Sequence, residues 1–187
     1  MDPIAQAFTR INRTDFLPVE TRRFASEDAP LSIGYQQTNS QPSTVKAMLK
    51  LLAVHPGHRV LDVGAGSGWS SALLGSLVGD QGEVIGVERI PELVSTARAA
   101  NAQQNQPWVH IRQATDGELG APGEAPFDRI LVSAMANALP EQLVEQLGEG
   151  GVMVIPVAGE MLRVRQGHRG PKITRHGKFK FVPLRED

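Results

Sequence analysis

Residues 60–69, Val-Leu-Asp-Val-Gly-Ala-Gly-Ser-Gly-Trp, limit the possible folds more than any other stretch. An apolar run breaks into alternating glycines and passes at once into a segment with helical character, Trp69 to Val78. Strand, glycine loop and helix in that order form a cradle for a nucleotide-like ligand. Gly64, Gly66 and Gly68 allow positive φ and close approach of the backbone, so loop amides and a helix N-terminus converge on one spot. Glu88 ends the next apolar run, where a carboxylate accepts hydrogen bonds from both hydroxyls of a ribose. The competing reading is a tight strand-to-helix turn that binds nothing, and the acidic residue weighs against it.

Two kinds of nucleoside cofactor use such a cradle. The dinucleotide fingerprint wants its third glycine at position 69, where this chain has Trp69, and the GxGxG spacing turns the reading toward S-adenosylmethionine. Trp69 itself has two readings, a cover over the cofactor or an anchor for the first helix in the core.

Beyond Arg59 strand-like and helix-like runs alternate. Val60–Val63, Val84–Val87, Val109–Arg112, Phe127–Ser133 and Val152–Val157 read as strands, and Trp69–Val78, Glu92–Gln104 and Leu139–Leu147 as helices. That alternation predicts an α/β fold with a mostly parallel sheet wrapped by helices. Met161–Arg165 and Lys178–Val182 alternate apolar and basic residues, which predicts an antiparallel C-terminal strand pair around a polar turn. Ile4–Ile11 and Pro42–Val54 have helical spacing, and the Pro- and Gly-bearing stretch between them reads as irregular. Residues 1–55 are therefore expected to form an N-terminal helical cap on a core of residues 56–187, all in one domain.

Composition narrows the function. The chain has 187 residues, 41% hydrophobic and 21% charged, with a formal net charge of −1, as expected of one globular domain with a sizeable core. Near-neutral charge speaks against a dedicated nucleic-acid binder. The absence of cysteine removes disulfides, thiolate zinc sites and a cysteine nucleophile, and makes a cytoplasmic location the expectation. No basic-then-apolar leader and no run of about 18 apolar residues is present, so no signal peptide and no membrane span are expected. His55, His58 and His110 are scattered, and no metal is predicted. The basic stretch Gly167–Lys180 reads as a solvated face rather than a patch for an acidic partner.

Asp116-Gly117 follows the third strand, where an aspartate can accept from an adenine amino group; an ordinary Asp-Gly turn is the alternative. Asp128, at the start of the fourth strand, reads as structural.

Taken together these motifs resemble the protein-L-isoaspartate O-methyltransferases. The resemblance rests on Arg13-Thr14-Asp15-Phe16-Leu17-Pro18, on Ile33-Gly34 with Gln37-Thr38-Asn39-Ser40-Gln41-Pro42, on Asp62 to Gly68, Glu88, Asp116-Gly117 and Phe127-Asp128-Arg129-Ile130, and on the closing Phe181-Val182-Pro183-Leu184. It implies a Rossmann-like S-adenosylmethionine-dependent methyltransferase fold and methyl transfer to the α-carboxylate of isoaspartyl residues in damaged peptides and proteins by a monomeric enzyme. By the same resemblance Ser40 and Thr38 are the catalytic hydroxyls. Asp62, Gly64, Gly66, Ser67, Gly68, Glu88, Asp116 and Gly117 would hold the cofactor, and Gln37 and Asn39 would contact the substrate. Without the resemblance, Ser40 reads as part of a helix start, with Pro42 at the first helical position. Three positions depart from the family pattern. Asn39 replaces an aliphatic residue, Asn137 replaces a proline beside the substrate, and Thr115 replaces a glycine before Asp116. A divergent carboxyl methyltransferase with a dedicated substrate and a non-catalytic cofactor-binding protein are the alternative readings.

Overall fold

The computed structural model describes residues 2–185. Helix α1 (Pro3–Arg10) begins at Asp2, whose side chain accepts from the Ile4 amide, and Pro3 occupies the first turn, where its missing N–H costs nothing. Two 3₁₀ turns, Arg13–Phe16 and Arg22–Phe24, lead to a hairpin of β1 (Leu31–Gly34) and β2 (Gln37–Asn39). Helix α2 (Pro42–Leu52) follows. The stretch expected to be irregular thus contains a hairpin. Its two-residue loop is Tyr35-Gln36, with φ of 54° and 59°. Both residues are left-handed without the Asn-Gly signature that usually marks such a turn, so local sequence did not announce it.

The core alternates as the periodicity predicted: β3 (Arg59–Val63), α3 (Trp69–Val78), β4 (Glu83–Glu88), α4 (Pro91–Ala102), β5 (Val109–Gln113) and β6 (Phe127–Val132). The helix expected over Leu139–Leu147 is the single turn α5 (Glu141–Val144), because the chain already enters β7 (Leu147–Val157) at Leu147. Strands β8 (Glu160–Arg165) and β9 (Lys172–Lys178) complete a seven-stranded sheet of order β5-β4-β3-β6-β7-β8-β9. Strands β3 to β7 run parallel, and the last two antiparallel.

The inner parallel strands β3, β4, β6 and β7 are largely buried on both faces, and successive residues divide between two apolar layers, while β5 at the edge buries only Ile111. Val60, Val84, Leu131 and Val154 join α1, α2 and α3 on one side. Leu61, Ile85, Ile130 and Met153 join Phe127, Leu143 and Leu147 on the other. Strand order reverses between β3 and β6, and the crevice at the carboxyl ends of the strands opens there. The hairpin is tied to α4 by Leu31 and Ile33 against Leu93, which brings it over that crevice.

The second strand of the C-terminal pair is not where it was expected. Pairing falls at Lys172–Lys178, inside the stretch read as a polar turn, rather than at Lys178–Val182. The displacement comes from contacts made beyond Lys178. Phe179 and Phe181 pack back against the core, while the Met135 amide donates to the Val182 carbonyl and the Leu184 amide to the Met135 carbonyl. Residues 182–185 are thereby drawn off the sheet edge to the crevice. Strand β9 is exposed along its whole length, in keeping with a solvated basic face.

Candidate active site

A cleft of about 700 Å³ lies at the carboxyl ends of the parallel strands. Its floor is the β3–α3 loop. Gly64, Gly66 and Gly68 have φ of 76°, 55° and 86°, so the glycine spacing read in the sequence reflects three left-handed positions. The Gly64 and Ala65 amides both donate to the Val87 carbonyl, fastening the loop to the end of β4.

Glu88 is held more firmly than its place in the sequence suggested. The Gly66 amide donates to its Oε2 at 2.9 Å, and the Ile90 amide to its Oε1 at 3.0 Å. An ionised carboxylate has about four acceptor sites, so two remain, on a buried group at the cleft edge. That matches a vicinal diol. Asp116 lines the cleft beyond the end of β5, with Thr115 and Glu118 on either side of the Asp-Gly turn.

The other wall is the hairpin. Gln37, Thr38, Asn39 and Ser40 all line the cleft, facing Gly64, Gly66 and Ser67. What holds this wall is Arg13, which is 5% exposed. Its Nη1 donates to the carbonyls of Ala25 and Glu27, its Nη2 to those of Ala29, Asn39 and Ser40, and its Nε to Asn39 Oδ1. Burial lowers the pKa of this guanidinium, and Asp28 opposes the shift. One planar fork satisfies carbonyls spread from Ala25 to Ser40. Sequence reasoning had Arg13 only as part of a motif. Its one signal was its place in Arg13-Thr14-Asp15-Phe16-Leu17-Pro18, just ahead of two apolar residues and a proline.

Three expected cofactor residues lie outside the cleft lining. Asp62 is wholly buried beneath the loop, and the Ser70 and Ser71 hydroxyls each donate to its Oδ2 at 2.6 Å, which ties β3 to the first turn of α3. Its Oδ1 has no partner among the described residues. Burial pushes its pKa up to about 6 against the pull of the two hydroxyls, and the Glu88 charge adds to the rise. Gly68 caps α3 and faces Asn101 and Ala97 rather than the opening. Gly117 makes the turn behind Asp116, with φ of 76°.

Asn39 lines the cleft, but its side chain is not offered to a substrate. It is 5% exposed, and both ends of its amide are engaged, by Arg13 and by Ser67. Asn137 is exposed and lies outside the cleft lining, whereas Ser133 and Ala134 of the same loop are part of it. Trp69 is 3% exposed, meets Phe8 edge-on at 5.5 Å and joins the main core cluster, so it anchors α3 to α1, and it also borders the cleft. Asp128 accepts from the Arg59 amide across β3 and β6, a structural role.

The arrangement offers a diol acceptor at Glu88, a backbone cradle at the glycine loop, and two hydroxyl-bearing residues, Thr38 and Ser40, lining the same cleft. Among the described residues no group of three or more His, Cys, Asp or Glu side chains is placed to hold a metal ion. No helix among them is long and apolar enough to cross a membrane.

Residues 1–187 match the family model of protein-L-isoaspartate(D-aspartate) O-methyltransferase. A protein-L-isoaspartate O-methyltransferase of Methanopyrus kandleri is 45% identical over 186 residues, which cover 97% of this chain and 82% of the relative. The enzyme of the same name from Myxococcus xanthus is 40% identical over 189 residues, covering 97% and 87%. Among solved structures, a Plasmodium falciparum beta-aspartate methyltransferase in complex with S-adenosyl-L-homocysteine superposes with a TM-score of 0.89 at 24% identity, covering all of this chain and 92% of that one.

Proposed function

The chain belongs to the protein-L-isoaspartate(D-aspartate) O-methyltransferase family, and from that premise we propose that its cleft methylates the α-carboxylate of L-isoaspartyl residues with Ser40 and Thr38 as the orienting hydroxyls. The reading follows from the family membership, and the observation that supports it at these residues is that Thr38, Ser40, Gly64, Gly66, Ser67 and Glu88 all line one cleft.

The residues present suit S-adenosylmethionine. Glu88, fixed by two amides and with acceptor capacity to spare, would take the ribose hydroxyls. Gly64, Gly66 and Ser67 would lie along the chain that carries the sulfur, and Asp116 would meet the adenine. When bound, the cofactor supplies a methyl carbon on a positively charged sulfur, which departs as the neutral thioether.

The protein's own work is placement. A carboxylate with a pKa near about 3.5 is ionised at neutral pH, so no residue has to remove a proton. Ser40 and Thr38 donate hydrogen bonds that aim one carboxylate oxygen along the line of attack. Neutral donors hold that anion without stabilising it as strongly as Arg or Lys would. Positioning of this kind can contribute roughly 7–11 kcal/mol to lowering a barrier. Arg13, which lies outside the cleft lining, donates to main-chain carbonyls and keeps the Ser40 backbone in place. In the ester product the neighbouring backbone amide nitrogen attacks the ester carbonyl, gives up its proton and expels methanol to form a succinimide. Water then opens that ring in part to normal aspartate, so repeated cycles return damaged sites to aspartate, which is repair.

We further read the protein as cytoplasmic, a reading supported by its lack of cysteine. The decisive experiment offers labelled S-adenosylmethionine to one peptide carrying either isoaspartate or aspartate at a single position. Strong preference for the isoaspartyl form is expected; equal or absent transfer to both would overturn the repair reading. In the same assay Ser40→Ala should lower kcat roughly 100-fold while leaving S-adenosylhomocysteine binding within about twofold, and unchanged kcat would remove Ser40 from the mechanism.

A further inference from the structure

Asn39 forms a polar link between two loops. Arg13 Nε donates to its Oδ1 at 2.7 Å, and its Nδ2 donates to Ser67 Oγ at 3.1 Å. The two ends of the amide are not interchangeable. A guanidinium has only donors, so the amide oxygen must face Arg13 and the NH₂ group must face Ser67. The Ser67 oxygen is then obliged to accept, and its own proton is released to donate elsewhere. Ser67 lies in the middle of the glycine loop, on the cleft surface. Arg13 also grips the carbonyls of Asn39 and Ser40, at 3.2 and 3.1 Å. One line of hydrogen bonds therefore runs from the loop that bears Ser40 to the loop that cradles the cofactor.

We propose that Asn39 is a positioning residue that sets the polarity of Ser67, keeping its hydroxyl a donor toward an acceptor oxygen of the bound cofactor. The methionine carboxylate is the anionic group of that ligand that a neutral donor suits. The inference rests on the reading of the cleft as the S-adenosylmethionine site, and on nothing about the methyl acceptor. An aliphatic residue at 39 could separate the two loops by packing, but could not dictate which way the hydroxyl points.

The test is S-adenosylhomocysteine binding by calorimetry, which needs no peptide and so stands apart from the repair assay. Asn39→Asp keeps an acceptor for Arg13 but presents an oxygen to Ser67, which then donates to the new carboxylate instead of the ligand. Kd should rise about tenfold, the scale of one well-made hydrogen bond, with melting temperature unchanged or higher. In a Ser67→Ala background there is no hydroxyl to redirect, and adding Asn39→Asp should change Kd less than about twofold. Asn39→Val, which removes both bonds and adds no charge, should weaken binding about threefold with Ser67 present and not at all in the Ser67→Ala background; it decides the matter if the aspartate variant does not fold. An unchanged Kd in Asn39→Asp overturns the proposal, because the Ser67 proton is then unused. An equal loss with and without Ser67 also overturns it, because Asn39 then acts through charge or loop order alone. Failure of the parent protein to bind S-adenosylhomocysteine would instead overturn the cofactor reading.

Discussion

The two loops that meet at Asn39 are ordered in opposite ways. In the β3–α3 loop each turn is set by the residue that makes it: left-handed glycines at 64, 66 and 68, amides closed on the Val87 carbonyl and on Glu88, and a helix that starts at once. The stretch from Ala25 to Ser40 relies more on distant partners. Beyond its own hairpin pairing and the packing of Leu31 and Ile33 on Leu93, the carbonyls of Ala25, Glu27, Ala29, Asn39 and Ser40 all turn to one side chain, Arg13, twelve to twenty-seven residues away. A cradle built locally is rigid before any ligand arrives, whereas a wall whose buried carbonyls share one guanidinium depends heavily on that residue. The cofactor side and the substrate side of the cleft should therefore fail differently when damaged.

The largest effect is expected at Arg13. Arg13→Met keeps most of the stem's volume and leaves buried carbonyls without donors, which should cost about 3–5 kcal/mol of stability in urea unfolding and abolish transfer to peptide. Arg13→Lys should recover little, since a point donor cannot replace the fork. A loss below about 1 kcal/mol, less than one stranded buried group should cost, would mean that apolar contacts hold the wall and that the contrast between the loops is false.

Asp62 tests the foundation of the other loop. Its pKa is raised to about 6 from an ordinary 3.8, so the native state holds a proton that the unfolded chain has released. The stability this contributes is fully present below about pH 3.8 and is lost as pH rises through 6. At 1.36 kcal/mol per unit the swing is about 3 kcal/mol. Asp62→Asn should remove it, so that between pH 4 and pH 7 the parent protein loses about that much relative to the variant in parallel unfolding curves. A pH-independent difference between the two proteins would mean that the carboxyl is not paying for its burial.

The finest distinction lies within the glycine loop. Gly64→Ala meets nothing nearer than 3.9 Å and bears only left-handed strain, whereas a Cβ at Gly68 would lie 2.4 Å from Asn101 Nδ2 and 3.0 Å from Ala97 Cβ. Thermal or urea denaturation should show Gly68→Ala worse by about 1–3 kcal/mol. Equal costs would mean that α4 yields freely, and that the loop is less rigid than its hydrogen bonds imply.

Much of the fold was legible because its signals are local. The inner parallel strands, largely buried on both faces, read as apolar runs, and α3 and the strands around it fall within a residue or two of the periodicity. Glu88 was legible in the same way, from its place at the end of the strand after the glycines, whereas Ser67 was singled out through the family resemblance. Other features were not. The β1–β2 turn uses Tyr35 and Gln36 in conformations that their identities do not favour. The strand expected at Lys178–Val182 is displaced because Met135, more than forty residues earlier, claims the backbone of Val182 and Leu184.

The sequence by itself determined the alternating α/β core, the glycine cradle and its acidic partner, since each depends on residues within a few positions of one another. It also carried the family's hydroxyl motif at Thr38 and Ser40. Only the tertiary structure decided that Asp62 lies beneath the cleft rather than in it, that Trp69 belongs to the core, and that Asn39 turns away from substrate to join Arg13 and Ser67. Those outcomes depend on which buried donor meets which acceptor, and a buried polar group takes whatever partner the packed chain brings within reach.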